Sequence, residues 1–229
     1  MAIYVAAPVS GAHLNPAVTI SFTIWRKFPI KKLIYYVIAQ ILGAFLAGIC
    51  IFGIFHRFLS DFESKNAIIR GTVGSERSAM IFGEYFPNPA FYYSSPNQGY
   101  DLLSPIGACA MEGFGTLILV FVIYAFTDKN SSHHKNKTLI AMSPFFIGST
   151  VSIVMSILAP LTQAGLNPAR DFGPRLVASF VGFRSIAFPG PRNSFWAYIV
   201  GPIVGSVIAG LIYKFTIGKA NEIERKKEL

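Results

Sequence analysis

The sequence predicts an all-α membrane protein, a bundle of inverted repeats with two re-entrant half-helices, and three observations predict it. Of 229 residues, 52% are hydrophobic and 14% charged, whereas soluble domains carry about a quarter charged residues. Residues 33–55, 138–169 and 193–213 contain no Asp, Glu, Lys or Arg, and 102–127 contain one; each stretch is near the roughly 20 apolar residues that cross a bilayer. The tetrapeptide Leu-Asn-Pro-Ala occurs twice, at Leu14–Ala17 and Leu166–Ala169.

From the N-terminus, residues 1–9 read as the end of a span. Val9-Ser10-Gly11-Ala12-His13-Leu14-Asn15 is too polar for lipid contact, and Asn15 suits a helix N-cap with Pro16 at the first helical position. The apolar run to Trp25 then predicts a half-helix over 15–25, roughly 15 Å long and so half a hydrocarbon core of roughly 30 Å. Full spans are expected at 33–55, 102–127, 138–161 and 193–213, an outer loop at 56–103, and a solvated tail at 218–229. Asn167 and Pro168 open a second half-helix over 167–180.

The charge pattern orients these elements. Lys and Arg cluster at 26–32, 129–137 and 214–227, while 56–103 holds four basic residues against five acidic ones. Short basic loops stay in the cytoplasm, so the C-terminal tail is expected there, with the plasma membrane favoured over an internal one. The net charge of +9 is accounted for in this way and implies no nucleic-acid partner. Cys50 and Cys109 sit inside apolar spans and read as small buried hydrophobes, with no disulfide framework and no metal site. No cofactor is expected.

Parity is the decisive step. Three spans separate Asn15 from Asn167, an odd number, so the two half-helices enter from opposite faces and meet N-terminus to N-terminus near the midplane. Non-helical backbone at that depth is tolerated where it lines a cavity or is buried in protein. The carbonyls of Gly11, Ala12 and His13, and of Gln163, Ala164 and Gly165, are therefore expected along a pathway. Asn15 and Asn167 would aim amide N–H donors into it at two positive helix ends, an arrangement that repels cations and protons.

Ser10-Gly11-Ala12-His13 before the first motif, Arg170 after the second, Phe86-Pro87-Asn88-Pro89 and Asn167-Pro168-Ala169-Arg170-Asp171-Phe172-Gly173-Pro174 together resemble the major intrinsic protein family of aquaporins and aquaglyceroporins. The resemblance runs from residue 1 to about 217 and is nearest to bacterial-type glycerol facilitators. It implies six spans and two half-helices, a homotetramer with a pore in each subunit, and Arg170 in a narrow filter donating to the permeant. For Glu112, alone in a full span, it implies a structural role, that of accepting hydrogen bonds from the re-entrant backbone so that the carbonyls face the pore. Asp171, with Arg175 four residues on, favours polyols. Ala164, where glycerol channels carry an aromatic, would widen the filter. The resemblance also implies a first span and most of a second before residue 1, so both are expected to be absent from this chain.

The expected function is passive passage of glycerol and other small uncharged polyols, with water, through the lipid bilayer. The alternatives are a water-selective pore or a non-conducting truncated subunit that co-assembles with full-length channels. An enzyme is disfavoured because no nucleophile–base spacing appears at membrane depth. An ion-coupled transporter would show a second intramembrane carboxylate beside Glu112.

Overall fold

The computed structural model describes residues 1–92 and 99–227; parts of the expected outer loop (93–98) and tail (228–229) lie outside the described residues. Among the described residues every regular element is helical. Helix α1 (Ala2–Ser10) stops at Gly11, whose φ of 74° is left-handed and whose N–H bonds the Ala7 carbonyl. Helix α2 (Pro16–Trp25) is short because the chain reaches Arg26 and Lys27, the latter at positive φ. Helices α3 (Ile30–Lys65), α6 (Pro105–Thr127) and α7 (Lys137–Thr162) are long and apolar enough to cross a membrane, as is the stretch Pro191–Lys227. That stretch holds α9 (Ala197–Tyr213) and α10 (Lys219–Lys227). The outer connection carries two single turns, α4 (Glu76–Ala79) and α5 (Pro89–Tyr92), and α8 is the second short helix (Pro168–Ala178).

Small residues let these helices approach closely, as membrane bundles require. A Cβ at Gly201 or Gly205 would run into the Cys109 or Gly113 carbonyl, so α6 and α9 cross backbone to backbone. Helix α8 meets α3 the same way: a Cβ at Gly173 would stand 2.7 Å from the Phe45 nitrogen. Helix α2 meets α9 where the Trp25 ring covers Gly210, its Nε1 donating to the Val207 carbonyl at 2.9 Å.

These contacts also order the two half-helices. Along α3, Gln40 touches Thr19 of α2, Phe45 faces Gly173, and Gly48 faces Pro174 and Val177. Along α9, Tyr198 reaches Thr162, Ser206 reaches Ala17, and Gly210 reaches Trp25. The half-helices therefore occupy opposite halves of the bundle and diverge from its middle.

Several boundaries differ from the sequence expectation. Helix α3 continues ten residues past 55, because Lys65 pairs with Asp61 at 2.7 Å and Glu63 holds Arg70, giving a polar helix end its own support. At 36 residues it is roughly 54 Å long and projects beyond a hydrocarbon core, so the outer connection starts at Asn66 rather than at 56. The span expected from 102 starts at Pro105, where Ser104 caps the Gly107 N–H at 3.0 Å. The span expected from 193 starts at Ala197, since Pro191–Asn193 form a separate turn. The second half-helix leaves α-geometry after Ala178 and turns at Gly182, φ 110°.

The tail is a helix rather than a plain solvated end. Asn221 donates to Asp128 at 2.9 Å, Tyr213 to the same oxygen at 2.8 Å, and Arg225 to Asn130 at 2.5 Å. Burial pushes the Asp128 carboxyl up. The bonds from Asn221, the Asn130 backbone and Tyr213, with Arg26 nearby, outweigh it and hold the group below the usual carboxylate range.

Candidate functional site

Two N-caps meet at the centre of the bundle. The Asn15 Oδ1 accepts from the Ala17 N–H at 2.8 Å, and the Asn167 Oδ1 from the Ala169 N–H at 3.0 Å. Capping aims each amide NH2 at the opposite loop: Asn15 Nδ2 donates to the Leu166 carbonyl at 2.8 Å, and Asn167 Nδ2 to the Leu14 carbonyl at 2.9 Å. Each amide carries two N–H donors, so the crossed bonds use one and leave one for a passing solute. Pro16 and Pro168, at the first helical positions, fix the backbone that carries these caps.

The two loops share an unusual backbone. Gly11, Ala12 and Leu14 have φ of 74°, 51° and 53°; Gln163, Ala164 and Leu166 have 63°, 53° and 55°. Left-handed geometry in non-glycine residues is costly and persists only where surroundings impose it. For the second loop the imposing group is Glu112, fully buried, whose two oxygens accept from the Gly165 N–H at 3.0 Å and the Leu166 N–H at 2.7 Å. Gln163 adds an acceptor for the Tyr85 N–H at 2.7 Å. The first loop is held by neutral groups. Ser10 Oγ accepts from the Ala12 N–H at 3.3 Å, and His13 Nδ1 lies 3.2 Å from the Thr19 hydroxyl, with its ring packed on Phe22, Phe28 and Tyr36.

Around these loops lies a cavity of about 260 Å³. Gly11, Ala12, His13, Leu14, Asn15, Ala164, Gly165, Leu166, Asn167 and Arg170 border it on the polar side. Val18, Phe22, Leu119, Ile123, Ile147, Val151 and Met155 supply the apolar wall. Most of the pore residues singled out from sequence thus border one cavity, with two differences: Gln163 is not among its lining residues and turns its side chain to the Tyr85 N–H, and Ala164 is 1% exposed and packs with Val154, Leu158 and Leu166.

Sequence reasoning missed Glu84. It lies in the irregular outer connection, 5% exposed, and its Oε1 forms an ion pair with Arg170 Nη1. Asp171 and Arg175 explain how the loop gets there. Both are buried and pair in a bidentate fork, Arg175 Nε standing 3.0 Å from Asp171 Oδ2. Asp171 Oδ1 accepts the Glu84 N–H at 2.8 Å, Arg175 donates to the Glu84 carbonyl, and it also donates to the Ala187 carbonyl at 3.2 Å. Gly83 permits this approach, since a Cβ there would lie 3.1 Å from both Arg175 Nε and Asp171 Oδ1. Asp171 therefore anchors the outer loop and does not face the cavity.

Residues 1–213 match the Major intrinsic protein family. The chain belongs to that family. Among its relatives, the glycerol uptake facilitator protein of Escherichia coli (strain K12) is 36% identical over 221 residues, covering 96% of this chain and 73% of the relative. The propanediol uptake facilitator of Citrobacter freundii is 35% identical, covering 96% of this chain and 76% of the relative. The X-ray structure of the aquaglyceroporin from Plasmodium falciparum superposes with a TM-score of 0.75 at 27% identity, covering 96% of this chain and 79% of that one. Family membership and the apolar helices make this major intrinsic protein an integral membrane protein, a mover of solutes and not an enzyme.

Proposed function

We propose that the chain is a passive channel for glycerol and other small uncharged polyols, with water. The observation that carries this reading is the two-sided cavity. Residues of the two loops, with their carbonyls and amide donors, border a wall from α2, α6 and α7 that is apolar except at Thr127. A polyol presents hydroxyls along one edge and C–H groups along the other, so it can satisfy both sides at once, whereas water gains nothing from the apolar wall. Two positive helix ends oppose the entry of cations and protons, and Arg170, its charge paired with Glu84, serves as a donor. In this reading Asn15, Asn167, Arg170 and the carbonyls of 11–13 and 163–165 contact solute, and Glu112 holds the second loop. The glycerol and propanediol uptake facilitators among the relatives support the same solute class.

The reading extends to a homotetramer in the lipid bilayer of a plasma membrane, with the C-terminus cytoplasmic. Support comes from the basic residues at 26–32, 129–137 and 214–227 and from the exposed apolar faces of α3 and α7, among them Ile38, Leu42, Ile153 and Ile157.

Stopped-flow light scattering of proteoliposomes under glycerol and water gradients tests the channel. Glycerol flux above that of empty vesicles, lowered by Asn167→Asp and by Arg170→Ala, is expected. A parent chain that passes water at a high rate and glycerol at the empty-vesicle rate would point to a water-selective pore instead.

A further inference from the structure

Among the described residues, the helical wall of the cavity is interrupted by a polar side chain once, at Thr127, the last residue of α6. The Thr127 hydroxyl donates to the Ile123 carbonyl at 2.6 Å and accepts from Arg26 Nη1 at 2.6 Å. A hydroxyl has one donor and two acceptor positions, so one acceptor position remains. Arg26 fixes its place. The last carbonyls of a helix have no partner within it, and Arg26, arriving from the end of α2, donates to the Thr127 carbonyl at 2.9 Å and the Tyr124 carbonyl at 2.8 Å. Its guanidinium lies 4.5 Å from the Tyr124 ring centroid and 5.0 Å from that of Phe22, which borders the same cavity. Threonine is stiff about its first side-chain torsion, so a hydroxyl held from both sides stays in place. Thr127 also borders a second pocket, of about 390 Å³, between the ends of α2, α6 and α9, and so stands at the edge of the cavity. Because Arg26 caps the far end of α2, that edge lies in the half of the bundle away from Arg170.

We propose that Thr127 is a specificity-determining residue at the inner mouth, accepting a polyol hydroxyl as solute passes, and that Arg26 is the positioning residue that holds it there. The inference rests on the channel reading above. Arg170 has only donors to offer. Thr127 has only an acceptor, because its proton is committed to Ile123. A polyol hydroxyl both accepts and donates, so the two ends of the pathway use complementary halves of it. Water depends less on this acceptor, since a neighbouring water can replace it. A polyol hydroxyl is fixed to a carbon chain whose C–H edge excludes such a neighbour.

The test uses the full chain in vesicles and reads the ratio of glycerol to water flux, which a purely structural role would leave unchanged in any variant that keeps the parent's unfolding temperature. Thr127→Val keeps the shape and removes the acceptor, and Thr127→Ala is a second hydroxyl-free variant that guards against misfolding. In both the ratio is expected to fall about fivefold, the effect of one lost hydrogen bond. Thr127→Ser returns the hydroxyl and should restore the ratio. Arg26→Lys keeps the charge without the planar fork and should lower the ratio about threefold. Because Arg26 acts through Thr127, Arg26→Lys added to Thr127→Val should lower it no further than Thr127→Val alone. An unchanged ratio in folded Thr127→Val or Thr127→Ala, or a Thr127→Ser variant that falls as far as they do, overturns the specificity role while the channel stands. A double variant in which the two losses multiply overturns the positioning role of Arg26. A parent chain that passes no glycerol overturns the channel reading itself, and this inference with it.

Discussion

The two re-entrant loops have nearly the same backbone and are secured by different chemistry. Loop 162–166 rests on a buried carboxylate that takes two of its N–H groups, and its helix carries the buried Asp171–Arg175 pair that ties down the outer loop. Loop 10–14 relies on hydroxyls, on a histidine among aromatic rings, and on Tyr36, whose hydroxyl donates to the Ser10 carbonyl at 2.9 Å. No carboxylate bonds to loop 10–14 among the described residues. The central amides are nonetheless symmetric, each capping its own helix and bonding the other loop. The geometry of the crossing therefore needs only that both loops be held, not that they be held alike, and the charged clamp sits on the side where the long outer connection also has to be fixed.

The largest test of this contrast removes the charged clamp. Glu112→Ala leaves two buried N–H groups without an acceptor, at roughly 1–3 kcal/mol each, so a loss of about 3 kcal/mol in detergent unfolding is expected, together with loss of glycerol flux. Removal of a neutral clamp on the other loop should do much less. If Glu112→Ala unfolds within 1 °C of the parent, the second loop is held by something other than its carboxylate.

Next in size is the packing beneath each half-helix. Gly173→Val would force α8 off α3, because even a Cβ there meets the Phe45 backbone, and overpacking of this kind costs about 1–3 kcal/mol. The counterpart, Gly210→Ala, meets the Trp25 indole, a side chain that can rotate at the expense of its bond to Val207. The expected order of unfolding temperatures is therefore parent, then Gly210→Ala, then Gly173→Val; the reverse order would show that α3 yields more readily than Trp25.

The symmetric part of the comparison is probed by Asn15→Ala and Asn167→Ala. Each removes an N-cap, about 1 kcal/mol, and one crossed bond. The two variants should lose similar stability, within about 0.5 kcal/mol of one another, and both should lower glycerol flux. A large difference between them would mean that the charged clamp reaches across to the crossed amides.

Much of this was legible in the sequence because it is written in local chemistry. Asn-Pro followed by an apolar run fixes a cap and a helix start, two copies an odd number of spans apart fix the opposed entry, and a lone Glu112 in an apolar span demands a partner. Glu84 was not legible, because an acid in a long irregular loop looks like any solvated acid until the fold shows that Asp171 and Arg175 draw its backbone inward. The extension of α3 past residue 55 was missed for a related reason: the apolar run ends there, while the helix continues on side-chain pairs such as Asp61–Lys65. The α10 contacts were hidden too, since Asn221 meets Asp128 across 93 residues of sequence.

The smallest effect belongs to the neutral loop itself. Thr19 lies beneath His13, its hydroxyl donating to the Asn15 carbonyl at 3.0 Å, meeting His13 Nδ1 and accepting from Gln40 at 3.0 Å. Thr19→Val keeps the shape and removes the hydroxyl, so the loss should be about 1 kcal/mol, with glycerol flux reduced less than twofold because the His13 ring is still held by Phe22, Phe28 and Tyr36. A loss as large as that of Glu112→Ala would erase the contrast: it would mean that a single hydroxyl secures the first loop as firmly as a buried carboxylate secures the second.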